Sequence, residues 1–470
     1  MTKDLTKGPV MKAVLLFTGP MLLGNLLQQC YNMADTWIVG KALGSQALAA
    51  VGSAFTLMTF LTSILIGLCM GAGSLCAIYF GRKDEEGVRK RMVAAFVFIS
   101  GVALVLWIAS LIFLHGILRI MRVPEEIYGL MFSYVKIILY GILFVFLYNY
   151  FACMLRAVGN SVVPLVFLAI GTVGNIVLDY LLVMVWHMGV EGAAIATVAA
   201  QAFSGIGISV YSLCKETLFY RSEKYGFWSE LRFIISEARS MGREEKSWQD
   251  AERADGVFRE VVVNSMAASV QQSIMNFGIL MVQSLVNSFG TVVMAAFTIG
   301  VKIDAFAYMP VQEFGNAFSV FIAQNYGAGK EDRMRQGVRK SVQLVVIFCL
   351  LISALVYVSA PALIQIFVES GEGEIIAAGT HYLRTEGMFY WGIGLLFLFY
   401  GYYRAVELPM MSVVLTVISL GTRVALSYLL APQFGESMIW YAIPIGWVLA
   451  DAAGAVIYYR RKAWSNGFVQ

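Results

Sequence analysis

Residues 92–119 read MVAAFVFISGVALVLWIASLIFLHGILR, with no acid or fixed base between Met92 and Leu118. Wound as a helix at 1.5 Å per residue, such a run reaches about 40 Å, more than the ~30 Å hydrocarbon core of a bilayer. In lipid it has to be a helix, because each backbone N–H and C=O must be paired inside its own segment. Comparable runs lie near 11–40, 47–80, 130–155, 162–186, 190–214, 258–288, 293–325, 341–367, 377–403, 409–430 and 437–459, twelve in all. Composition agrees: 59% of the 470 residues are hydrophobic and 14% charged, and mean hydropathy is +0.73. A soluble domain of this length needs far more surface charge. The expectation is an all-α integral membrane protein of twelve transmembrane helices.

The placement of basic residues orients the spans. The N-terminal lysines, Arg82–Lys83 with Arg89–Arg91, the 215–257 segment, Lys330–Lys340 and Arg460–Lys462 all fall on one side. The opposite loops hold little beyond Lys41, Arg119 and Arg122, and the loop near Glu369–Glu374 is acidic. The positive-inside rule puts both termini in the cytoplasm of a cell with this protein in its inner or plasma membrane. Met1–Lys12 reads as a cytoplasmic tail, since no small-residue cleavage site follows the first apolar run. Residues 215–257 form a charged linker, in which Phe227–Ile235 can lie on the membrane as an amphipathic helix or remain solvated. The six cysteines sit in apolar runs and suggest no disulfide framework. A net charge of +4 is too small to point to nucleic acid.

The halves on either side of the linker resemble each other. Gly87-Val88-Arg89-Lys90 recurs as Gly337-Val338-Arg339-Lys340, Arg156-Ala157-Val158 as Arg404-Ala405-Val406, and Tyr180-Leu181-Leu182 as Tyr428-Leu429-Leu430. Gln28-Gln29 pairs with Gln271-Gln272, and Gly44…Ala49-Ala50 with Gly290…Ala295-Ala296. Five matches in one order indicate a duplicated six-span unit of parallel topology. The domains expected are an N-lobe at 1–214, the linker, a C-lobe at 258–459 and a cytoplasmic tail at 460–470. Two homologous bundles facing a central cavity can open it to either side by rocking, the architecture of alternating access.

Ionisable groups inside spans cost at least ~2–3 kcal/mol and so need a partner or a wet cavity. Asp35 and Asp179 lie at similar depth near the outer ends of spans 1 and 5, and Asn175 stands one turn from Asp179 on the same face. Two carboxylates and an amide oxygen can hold one hard cation or share one proton. Tyr134, Lys136 and the deeper Asn149 of span 4 extend that network. The second half carries Lys302, Asp304, Glu313, Arg384, Glu386 and Arg423, a nearly balanced set for which mutual ion pairing is the expected arrangement. Glu313, Glu386 and Arg423, with Gln271, Gln272 and Asn276 of span 7, are candidates for lining a substrate cavity. Asp451 reads as a helix-packing acid. Gly67, Gly71 and Gly73 have the spacing for close helix contact.

Nothing points to an enzyme or a cofactor. His115, His187 and His381 lack metal-ligand spacing, and no phosphate-cradling Gly-Lys-Ser/Thr loop is present, so transport energy has to come from an ion gradient. Several motifs then become recognisable. Asn32-Met33-Ala34-Asp35-Thr36-Trp37-Ile38-Val39-Gly40 resembles the first-span signature of multidrug and toxic compound extrusion (MATE) transporters, within the MOP flippase superfamily. Gln324-Asn325-Tyr326-Gly327-Ala328-Gly329 is similar to the motif ending span 8, and Leu155-Arg156-Ala157-Val158-Gly159-Asn160 to the one after span 4. The resemblance implies a V-shaped pair of six-helix bundles, working as a monomer, that exports small amphipathic and often cationic organic compounds in exchange for H⁺ or Na⁺. It also implies that Asp35, Asn175 and Asp179, with Tyr134, match the N-lobe cation site of the DinF-like branch. The glutamate of span 7 and aspartate of span 10 found in the NorM-like branch have no evident match. The alternatives are a lipid-linked precursor flippase and a channel or membrane receptor.

Overall fold

The computed structural model describes residues 4–121, 123–215, 248–368 and 372–467. All the regular structure among these residues is helical. In chain order the helices are α1 (Val10–Gly44), α2 (Gln46–Gly81), α3 (Glu85–Ile112), α4 (Leu114–Ile120), α5 (Glu125–Tyr140), α6 (Ile142–Ala157), α7 (Val162–Asp179) and α8 (Gly189–Lys215). The second half contains α9 (Trp248–Asn287), α10 (Thr291–Gly327), α11 (Glu331–Gln365), α12 (Gly373–Gly387), α13 (Tyr390–Ala405), α14 (Pro409–Phe434) and α15 (Ser437–Gly467). Among the described residues nine helices are long and apolar enough to cross a membrane, and the bent pair α5–α6 raises the number to ten. Large apolar side chains cover their outsides, as at Val105, Ile112, Leu351 and Val358. A surface of that kind belongs in lipid.

Two expected spans differ from straight helices. The run at 130–155 is bent by 43° at Gly141, between α5 and α6. The run at 377–403 breaks at Met388–Phe389 into α12 and α13, each too short to cross alone. The run at 258–288 lies within α9, where Gln271, Gln272, Ser273 and Asn276 dilute its apolarity. The surface helix expected at Phe227–Ile235 lies outside the described residues, as do Arg122 and Glu369.

The repeat is written in the backbone more plainly than in the side chains. Gly44 (φ 82°) corresponds to Gly290 (φ 99°), Lys83 (59°) to Gly329 (66°), Gly159 (85°) to Glu407 (60°) and Gly189 (65°) to Gly435 (87°). Subtracting the first number from the second in each pair gives 246, 246, 248 and 246. Gly44 and Gly290 share an extended conformation with ψ near 180°, open essentially to glycine alone. Four left-handed turns therefore connect corresponding helices in each half, and two of the eight positions tolerate Lys or Glu at a steric cost.

By contacts the chain forms two compact units, one of Met1–Leu5 and Leu16–Ser269, the other of Thr6–Leu15 and Val270–Gln470. Within the first, α2 lies on the early part of α9. A Cβ on Gly71 would stand 2.3 Å from Asn264 O, and one on Gly67 would stand 2.5 Å from Ser269 Cα. Ser269 Oγ donates to Ile64 O at 3.1 Å. Arg91 closes the end of that contact, with Nε and Nη2 on Glu260 Oε2 (3.0 and 2.5 Å) and its guanidinium over the Tyr79 ring. Within the second unit, Lys330 Nζ donates to Thr6 O (2.8 Å), and Arg333 donates to Gly8 O (2.6 Å) and Lys7 O (2.7 Å). The small residues of α2 thus act through backbone approach, as their spacing suggested. Gly71→Ala is expected to lower the melting temperature of the detergent-solubilised protein, because its Cβ meets backbone. Gly52→Ala, where nothing stands within 4 Å of the new Cβ, leaves it unchanged.

Candidate functional site

In the first unit the acids of spans 1 and 5 come together. Asp35, on α1, is 8% exposed, and Asp179, at the end of α7, is fully buried. The two carboxyl groups interact electrostatically. Asn175 lies between Asp179 and Thr197, with its amide oriented by the partners on either side. Its nitrogen donates to Asp179 Oδ2 at 2.8 Å, and its oxygen accepts from Thr197 N at 3.2 Å. The oxygen that the sequence reading offered to a cation thus already accepts one backbone hydrogen bond. Among the described residues Asp35 Oδ1 and Asp179 Oδ1 have no hydrogen-bond partner.

Two tyrosines complete this group. Tyr134, expected here, is buried and interacts with Asp35, Tyr31 and Asp179. Tyr31, which the sequence reading missed, has its hydroxyl 3.4 Å from Thr197 Oγ1 and interacts with both acids. Its signal was available: Tyr31 and Asp35 are i, i+4 on α1, the spacing that flagged Asn175 with Asp179. Asn149 donates to Val145 O at 2.9 Å within its own helix, and Lys136 is exposed. Neither is shown meeting the acids.

The backbone also changes immediately after Asp179. Residues Tyr180–Val185 take a wider winding, with Trp186 N bonded five residues back to Leu181 O at 2.9 Å. Short π segments of this kind are enriched at functional sites, because they re-aim side chains without ending the helix.

The second unit holds a different arrangement. Asp304 on α10 is 1% exposed and accepts from Tyr382 (2.6 Å to Oδ2) and from Tyr390 at Oδ1. Glu386, 4% exposed, interacts electrostatically with Asp304, and its Oε2 has no hydrogen-bond partner among the described residues. Arg423 interacts with Glu386 and Tyr308, whereas Arg384 donates to Tyr357 O (3.3 Å) and stacks over its ring. Lys302 is exposed. For Asp304 the expected ion pairing thus gives way to two tyrosine hydroxyls, while Glu386 keeps Arg423 beside it. Charge balance in the sequence concealed that tyrosines, not bases, hold Asp304. Gln271 is buried, Gln272 and Asn276 are half-buried, and Asn316 Nδ2 lies 3.5 Å from Glu313 Oε1.

A helical membrane protein with one backbone pattern written twice, and acids buried inside its spans, has the make-up of a secondary transporter. The MatE family model matches residues 20–181 and again 267–429, once in each half, and the chain belongs to that family. It is similar to the probable multidrug resistance protein YpnP of Bacillus subtilis (strain 168), with 28% identity over 98% of this chain and 97% of the relative. It is also similar to the multidrug export protein MepA of Staphylococcus aureus (strain NCTC 8325 / PS 47), at 23% identity over 97% and 95% of the two chains. A solved MOP superfamily transporter from Pyrococcus furiosus shares the fold, with a TM-score of 0.84, 22% identity and 97% of each chain covered.

Tyr382→Phe and Tyr390→Phe each withdraw a donor from a buried carboxyl, and each is expected to destabilise the protein by about 1–3 kcal/mol. Thermal unfolding in detergent checks this. Tyr428→Phe, which removes the bond of an exposed tyrosine to Met281 O, is expected to change little.

Proposed function

We propose that the chain is a cation-coupled antiporter that exports small amphipathic organic compounds, cationic ones among them, by alternating access. The observation that carries this reading is the pair Asp35 and Asp179, each with one buried oxygen lacking a partner among the described residues. Groups left in that condition inside a membrane segment are made to take up and release a cation. The names of the relatives, multidrug resistance and multidrug export proteins, support the substrate class.

Protons are the preferred coupling ion over Na⁺. The Asn175 amide presents its nitrogen to Asp179, which leaves few neutral oxygens for a metal ion of several ligands, whereas a proton needs only the two carboxyl groups. In the outward-open state Asp35 and Asp179 load the ion from outside. Neutralising them rearranges span 1, loosens the hold on substrate, and lets it leave. The half 1–214 carries this coupling site as the N-lobe, 258–459 forms the C-lobe, and both termini with the 215–257 linker face the cytoplasm. The flippase alternative asks Lys302, Arg384 and Arg423 to gather around a pyrophosphate. In the second unit these side chains are, respectively, exposed, laid on Tyr357 and set beside Glu386.

Efflux of a fluorescent organic cation from proteoliposomes, under an imposed pH gradient and separately a sodium gradient, tests the reading. A pH gradient is expected to drive efflux, and the correctly inserted double variant Asp35→Asn, Asp179→Asn is expected to lose it. Efflux at the normal rate in that variant would falsify the N-lobe coupling site. Response to neither gradient, together with binding of lipid-linked substrates, favours the flippase.

A further inference from the structure

Asp451 is a further buried acid of the second unit. It lies on α15, nine residues before Arg460, and is 8% exposed. Both of its oxygens lack a hydrogen-bond partner among the described residues. Asp35, Asp179 and Glu386 each leave one oxygen in that state.

Its surroundings come from the helices packed against α15. From α13, Gly392 faces it: a Cβ there would stand 3.7 Å from Asp451 Oδ2 and 3.4 Å from Trp447 Cβ. Also from α13, the Tyr400 phenol interacts electrostatically with Asp451. Arg404, also on α13 and one turn beyond Tyr400, is buried as well, and most other titratable and charged groups on the neighbouring helices are engaged elsewhere. On α14, Arg423 interacts with Glu386, and Tyr428 donates to Met281 O. On α12, Tyr382 and Glu386 turn to Asp304, Arg384 to Tyr357 and His381 to the Tyr441 ring. On α13, Tyr390 turns to Asp304, and Tyr403 donates to Gly454 O. On α15 itself, Tyr458 lies against Tyr402 and Tyr459.

Among the described residues this carboxyl group has neither an ion pair nor a hydrogen-bond donor. A leucine or an asparagine would pack there without that cost, so helix packing does not account for an acid. The cation able to neutralise it within a shell of Trp447, Gly392 and Tyr400 is a proton.

We propose that Asp451 is a protonatable station of the second unit, which takes up and releases a proton during the transport cycle. This rests on the antiport reading for its place in transport, but its titration can be observed independently. Infrared difference spectra of the full-length protein in lipid, taken across pH steps, are expected to contain a carbonyl band from a protonated carboxylic acid. The band is lost in Asp451→Asn, shifted in Asp451→Glu and kept in Asp35→Asn. In proteoliposomes, pH-driven efflux of a fluorescent organic cation is expected to slow by about tenfold or more in Asp451→Asn. Binding of that cation is retained, and Asp451→Glu recovers part of the rate. Spectra of Asp451→Asn that match those of the unaltered protein overturn the station. So does a titrating band whose loss leaves efflux and its pH response unchanged. If the unaltered protein shows no pH-driven efflux, the antiport reading fails, and the infrared band still decides whether Asp451 titrates.

Discussion

Hydrocarbon offers no hydrogen bonds, and the rest of this structure follows from that constraint. Each backbone amide left unpaired in the membrane interior costs several kcal/mol, so the spans are helices and irregular backbone is confined to short turns. The same solvent acts on side chains. Donors and acceptors inside the spans either find one another, as Tyr382 and Tyr390 find Asp304, or turn back to their own backbone, as Asn149 does. Asp35 and Asp179 each keep one buried oxygen, and Asp451 both, without a partner among the described residues. In water, Asp35, Asp179 and Asp451 would be unremarkable.

Turns are where this constraint meets the duplication. A helix that ends at the membrane surface has to reverse within a few residues, and a left-handed residue does this most economically. The four pairs of positive-φ residues, each separated by 246 or 248 positions, show the same solution kept in both halves while most side chains diverged. Glu407 standing where Gly159 does shows that the backbone conformation has outlasted the residue that best suits it.

Nine or ten of the twelve expected spans, the duplication and the neighbouring first-unit acids were legible in the sequence because they depend on local properties: run length, order of motifs, and i, i+4 spacing. The close approach of Gly71 to Asn264 was half legible, since the small-residue spacing was visible but its partner helix was not. What could not be read was orientation and pairing across helices. Charge counting set Asp304 among Lys302 and Arg384, yet Lys302 is exposed and Arg384 lies on Tyr357. Asn175 was rightly placed, but which end of its amide faces Asp179 depends on Thr197, twenty-two positions away on another helix. The break between α12 and α13 follows Arg384, Glu386 and Gly387, which could equally sit inside a span lining a cavity; the bend at Gly141 had only the glycine.

The duplicated scaffold does not carry duplicated chemistry. With the offset of 248 that relates Tyr180 to Tyr428, Asn175 falls on Arg423 and Asp179 on Ser427. The second unit therefore places a fixed positive charge where the first has an amide, and a hydroxyl where the first has an acid. Arg423 sits beside Glu386, whose own neighbour is Asp304, a site without counterpart in the first half. The two halves are therefore alike in backbone and unlike in the charges they bury: duplication kept the path of the chain, where the membrane dictates it, and left the buried side chains free to diverge.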